Sequence, residues 1–153
     1  MSIKKIVCCT DFSENAEEAF EAALEMAEKY GAKLNMVHVL PPVVNPMLVD
    51  TEWVLPVESR KSMVLEVEQR LQKEYGTRIG KSIDFELVVL EGPVSSEIIR
   101  YLEETQVDLV VTGAYGLSGV GLVVFGSIAK NLAHKAPCSV LIVRLPKASK
   151  ESP

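Results

Sequence analysis

The chain has 153 residues, of which 48% are apolar, 24% charged and 6% aromatic, with a formal net charge of −5. That length fits one domain around one core, and the composition excludes global disorder, a collagen-like repeat and a disulfide scaffold. A mildly acidic balance also excludes a broad nucleic-acid-binding surface, because neutralising phosphates needs a basic one.

Ile3 to Cys9 reads as a strand buried on both faces. Its apolar run before Thr10 is only four residues, too short for the core of a signal peptide. Cys8 and Cys9 are adjacent and point to opposite faces of that strand. With Cys138 they form an odd, irregular set, which reads as free buried thiols in a reducing compartment, hence a cytoplasmic protein. Ser13, followed by Glu14, Glu17 and Glu18, marks a helix start with acids at the positive end of the dipole. Ala16, Ala19, Phe20, Ala23, Leu24 and Ala27 continue at helical spacing up to Gly31. Lys33 to Leu40 is a second strand, and Pro41 to Pro56 a loop containing Trp53. Val57 to Tyr75 is a second helix stopped by Gly76, and Ser82 to Leu90 a third strand. Gly92-Pro93 opens a third helix, Val107 to Thr112 is a fourth strand, Ser127 to Lys135 a fourth helix, and Cys138 to Val143 a fifth strand. Residues 1–146 form the one domain and 147–153 a flexible tail.

Strands alternating with helices predict an α/β fold: an open five-stranded parallel sheet with helices on both faces, Rossmann-like in layout. Ligands of such sheets sit beyond the carboxyl ends of the strands, where strand order switches. That rule selects Cys9-Thr10-Asp11, His38-Val39 and Thr112-Gly113. Leu109 to Ala129 is an uncharged stretch of 21 residues, but its five glycines punctuate strand, loop and helix rather than build a membrane span.

Charge is distributed unevenly. Twenty of the 21 acids lie at or before Asp108, and none lies between Leu109 and Lys150, where five basic residues do. The first helix begins with acids that would repel a phosphate. The fourth begins Gly126-Ser127-Ile128-Ala129 with no acid near it, and is the better seat for an anion, although a neutral segment that merely lacks acids would look the same. The glycine-rich stretch is neither a P-loop nor G-x-G-x-x-G. What it contains is Gly113-x-x-Gly116, nine residues, then Gly126-Ser127: at the strand end a glycine lets backbone approach a ligand, and at the helix start N–H groups and a hydroxyl are presented.

The chain resembles the universal stress proteins of the UspA superfamily, in their ATP-binding branch. The resemblance runs from Ile3 to Arg144 and rests on the glycine pattern, on Thr10-Asp11-Phe12-Ser13 with Ala16 and Ala19, and on His38-Val39, Gly92-Pro93, Asp108-Leu109-Val110-Val111 and Cys138 to Val143. It implies an adenine nucleotide alpha hydrolase-like fold that binds ATP with Mg²⁺. Thr10 and Asp11 would contact ribose and adenine at the end of the strand that closes with Cys9, and Val39 would line the adenine pocket. Gly113, Tyr115 and Gly116 would lie along ribose and phosphates, and Gly126, Ser127, Ile128 and Ala129 would hold phosphates. Tyr115 and the apolar run Leu122 to Phe125 depart from relatives that carry polar or charged groups there. The resemblance also implies a homodimer through the strand Ser139 to Arg144, acting as a nucleotide-dependent regulatory module with an unnamed protein partner. Alternatives are a slow or partner-stimulated ATPase and a nucleotide-free interaction scaffold. No carboxylate or Arg lies in the glycine segment to support hydrolysis.

Overall fold

The structure is a computed structural model that describes residues 1–42, 57–115 and 126–146, with side chains given from 59 onward in the second of these stretches. Most of the loop from Pro41 to Pro56, Gly116, the Leu122 to Phe125 run and the tail from 147 lie outside the described residues. The described strands are β1 (Lys5–Cys9), β2 (Lys33–Leu40), β3 (Phe85–Glu91), β4 (Leu109–Gly113) and β5 (Ser139–Val143). The helices are α1 (Glu14–Tyr30), α2 (Val57–Glu74), α3 (Val94–Thr105) and α4 (Ser127–Lys135). All strand pairings are parallel, in the order β3-β2-β1-β4-β5.

Each face of the sheet has its own core. On one, Ile6, Cys8, Leu34, Met36, Leu109 and Val111 meet Ala19, Phe20, Ala23 and Ala27 of α1 and Leu71 of α2. On the other, Val7, Cys9, Val37, Val39 and Val110 meet Ile98 and Leu102 of α3 and Leu132 of α4. The period-2 alternation of β1 divides its side chains between these cores, which is why an unbroken apolar run is needed there. The helices are therefore on both faces, as the alternating pattern of the sequence requires.

Local chemistry sets the ends. Ser13 Oγ accepts the Ala16 N–H at 3.2 Å, and Gly31, with φ of 62°, closes α1 in the left-handed conformation. Asp108 Oδ2 accepts the N–H groups of Lys4 and Lys5 at 2.9 and 3.0 Å, so β1 starts at Lys5 rather than Ile3. Val107 belongs to the end of α3, its N–H bonded to Leu102 O, and β4 begins at Leu109. Ile83 is buried, but its N–H closes a turn onto Gly80 O, so β3 starts at Phe85, not Ser82. Pro93 caps α3 from outside its first turn. α2 ends at Glu74, one residue short of Tyr75, and Gly76 opens one 3₁₀ turn through Arg78. Arg78 bonds Glu17 and Glu21 of α1 and lies over the Phe20 ring, 4.7 Å from its centroid, which ties this turn to α1.

Small residues let α1 lie close to the sheet, and the tightest point is Gly113. A Cβ there would stand 2.8 Å from Asn15 Cβ and 2.9 Å from the Asn15 carbonyl carbon and oxygen. The missing side chain at Gly113 thus admits the backbone of α1. Gly113→Ala is expected to cost about 2 kcal/mol, since helix backbone must move to accept one methyl group. Urea unfolding of the two proteins measures the difference.

Candidate functional site

β1 ends in a turn whose first residue uses all its polar atoms. Thr10 N–H donates to Val37 O at 2.9 Å, and Thr10 O lies 2.7 Å from His38 Nδ1. Thr10 Oγ1 accepts the Phe12 N–H at 2.9 Å and lies 2.6 Å from the Tyr75 hydroxyl. Its side chain therefore faces α1 and α2, away from the core that holds Cys9 and Val39. Asp11 follows, and its Oδ1 accepts the Ser13 N–H at 3.0 Å, an Asx turn leading into α1. Phe12 has φ of 64°, a left-handed conformation that a bulky residue rarely adopts.

Cys9 and Val39 lie in the apolar core on the α3 and α4 side, 7% and 6% exposed. Burial pushes the Cys9 thiol up to about 12 and raises Cys8 as well, so both are neutral, unreactive packing groups. Cys9 and Val39 form the apolar floor beneath the carboxyl ends of β1 and β2 on that face. His38 points to the opposite face, its ring 4.8 Å from Phe12.

β4 delivers the third part. Gly113 pairs with Val143, and Ala114, fully buried, continues that pairing by donating to Val143 O at 2.9 Å. Ala114 O in turn accepts the Gly126 N–H at 2.8 Å. One residue thus fastens the end of β4 to β5 and to the start of α4. Gly126 is the N-cap of α4 and offers no side chain, and the first turn holds no acid. Of the four N–H groups that open a helix, Gly126's is used by Ala114, and those of Ser127, Ile128 and Ala129 remain at the helix end. Ser127 is exposed, Ala129 is buried, and Ile128 packs against the same core as Cys9 and Val39. Tyr115 is half-buried directly after Ala114.

Cys9, Val39 and Ile128 are therefore brought to one core, and Gly113, Tyr115 and Gly126 to Ala129 are tied together through Ala114. Asp11 stands at the end of β1, the strand next to β4. Gly116 lies outside the described residues. The Thr10 side chain and the open side of Gly113 belong to the opposite face. On that face a cavity of about 410 Å³ opens between Phe12, Tyr75 and Arg78. Glu14, Glu17 and Glu74 also line it, so it is a poor seat for an anion. Ala114, Asn15 and Tyr75 were not singled out in the sequence. Ala114 has no chemical signal of its own, and Tyr75 acts across 65 residues.

The sequence model of the Universal stress protein family matches residues 2–144. The universal stress protein MJ0531 of Methanocaldococcus jannaschii is 31% identical over 150 residues, spanning 94% of this chain and 84% of that protein. A solved universal stress protein in complex with cAMP has a TM-score of 0.65 at 23% identity, over 94% of this chain and 98% of its own. The Arabidopsis thaliana family protein At3g01520, solved with AMP bound, has a TM-score of 0.59 at 16% identity, over 97% of each chain. With a family match across nearly its whole length, the chain belongs to the universal stress protein family.

Proposed function

We propose that the protein is an ATP-binding module that acts as a nucleotide-dependent switch in stress response. The observation that carries this reading is the uncapped, acid-free start of α4, fastened through Ala114 to the end of β4 at the switch point of the sheet. Two solved proteins of the same fold are described with adenine nucleotides, cAMP and AMP. In this reading Asp11 accepts hydroxyl hydrogen bonds from ribose, Val39 and Cys9 provide the apolar bed for adenine, and Thr10 holds Asp11 from behind. Gly113 and Tyr115 border the ribose and the first phosphates. The N–H groups of Ser127, Ile128 and Ala129 and the Ser127 hydroxyl hold the phosphates, with Mg²⁺ neutralising their charge. No Asp, Glu or Arg occurs between Leu109 and Lys135, so the segment offers no group to place a water against the terminal phosphate. Binding, rather than turnover, is the activity this supports.

The two edges of the sheet differ in a way that supports a homodimer through β5. The β3 edge carries exposed Glu86 and Glu91, with Lys33 paired to Glu86 at 3.2 Å. β5 has no charge from Ser139 to Val143, and its Val140, Leu141, Ile142 and Val143 are half-buried in the single chain. Charges guard an edge against pairing, and β5 lacks them.

Isothermal titration is expected to show ATP binding in the presence of Mg²⁺, weakened about tenfold by Asp11→Ala and about fivefold by Ser127→Ala, as loss of one hydrogen bond to a charged partner predicts. Absence of both heat and a thermal shift at millimolar ATP would exclude the reading. Sedimentation should show a dimer that Ile142→Lys converts to a monomer, and an unchanged dimer would place the interface elsewhere.

A further inference from the structure

We propose that Asn131 is a positioning residue for the phosphate seat at the start of α4, acting through its hydrogen bond to Ser95 of α3. The inference rests on the reading of the first N–H groups of α4 as phosphate ligands, and adds a residue one turn behind them. Asn131 Nδ2 donates to Ser95 Oγ at 3.1 Å, in a half-buried contact between the two helices. Among the described residues, it is the one side-chain hydrogen bond from α4 to another element.

α4 depends on such a bond. It has nine residues, too few for a helix to be stable away from the fold, and no side chain caps its start. Its seat is made by buried Ala129 and Leu132, with Ile128 and Ala136 packed partly against the same core. Two of these four are alanines. Apolar contact holds the helix down but is non-directional, and small side chains leave rotation about its axis loosely set. Hydrogen bonds are directional. The Gly126 N–H, donated to Ala114 O at 2.8 Å, fixes the first residue against the end of β4. Asn131 fixes the rotation. It stands four residues after Ser127, so the two share one face of α4. Holding that face against α3 sets the direction of the Ser127 hydroxyl and of the first N–H groups.

The anchor is itself secured. Ser95 lies in the first turn of α3, whose Ile98 and Leu102 are buried in the same core. Just before that turn, Gly92 donates its N–H to Leu40 O at 3.0 Å, which joins the start of α3 to the end of β2, beside Val39. Contacts therefore run from β2, through Gly92 and Ser95, to Asn131 and the face of Ser127. In the functional reading they join the adenine bed to the phosphate seat and set the span between them. An adenine nucleotide must match both at once. Without Asn131 the base keeps its bed, and the phosphates meet a helix start that can turn away.

The test pairs amide hydrogen exchange by NMR with titration of ATP and of adenosine, on the full chain. Ser95→Ala removes the acceptor without touching α4. It is expected to speed exchange of the Gly126 and Lys130 amides, which donate to Ala114 O and Gly126 O, by about fivefold relative to the buried Leu34 amide. ATP with Mg²⁺ should weaken by a similar factor, about fivefold. Adenosine, which carries no phosphate, should bind as it does to the wild type. Ser95→Thr keeps the hydroxyl and should retain native behaviour. Asn131→Ala should reproduce Ser95→Ala, and the double variant should lose no more than either; each single variant also serves if the other does not fold. Unchanged Gly126 and Lys130 amides, additive losses, or loosened amides with unchanged ATP affinity would each overturn the proposal. Equal losses of ATP and adenosine would overturn it as well. Absence of ATP binding by the wild type would instead refute the functional reading, and the amide comparison would still decide whether Asn131 holds the start of α4.

Discussion

Between β1 and β4 the sheet changes its direction of growth. β1, β2 and β3 are laid down outward on one side, and β4 and β5 on the other. Right-handed crossovers then force α1 and α2 onto one face and α3 and α4 onto the opposite one. Among the described residues, the helices that follow β1 and β4 depart to opposite faces of the sheet. The remaining features of the site adapt to it: Gly113 lets α1 close in from one side, and Ala114 holds α4 on the other.

Electrostatics follows the same division. Acids are concentrated on α1, where Glu17 and Glu21 are partly offset by Arg78. The segment after Asp108 has none until Glu151. Asp108, the last acid before that gap, is consumed structurally by the N–H groups of Lys4 and Lys5. Burial of Cys9 as a neutral thiol keeps charge out of the floor beneath the strand ends. The acid-free start of α4 and the acidic cleft near Glu14 and Glu74 thus lie on opposite faces of the sheet.

Periodicity and capping made the elements legible. The alanine stripe of α1 ends at Gly31 as its spacing requires, and the unbroken apolar strands predicted a sheet covered on both faces. Ends set by distant partners were not legible. Lys4 and Lys5 are held by Asp108, more than a hundred residues away, and apolar Ile83 beside Asp84 extends the strand pattern of β3 back over residues where the chain in fact turns. In the site, residue types at the strand ends could be read, but not which face each side chain takes. The Thr10 side chain faces Tyr75, and the open side of Gly113 admits α1. Both depend on helix packing that no local pattern encodes.

The contrast between the two sheet edges bears on how large an assembly can grow. A β-sheet with two open edges can add copies without limit, as fibres do. Exposed Glu86 and Glu91 on β3 disfavour growth from that side. If the chain pairs through β5, as proposed above, the same surface serves both members, related by a twofold axis. Such a geometry would be closed, and the sheet would stop growing after a single addition.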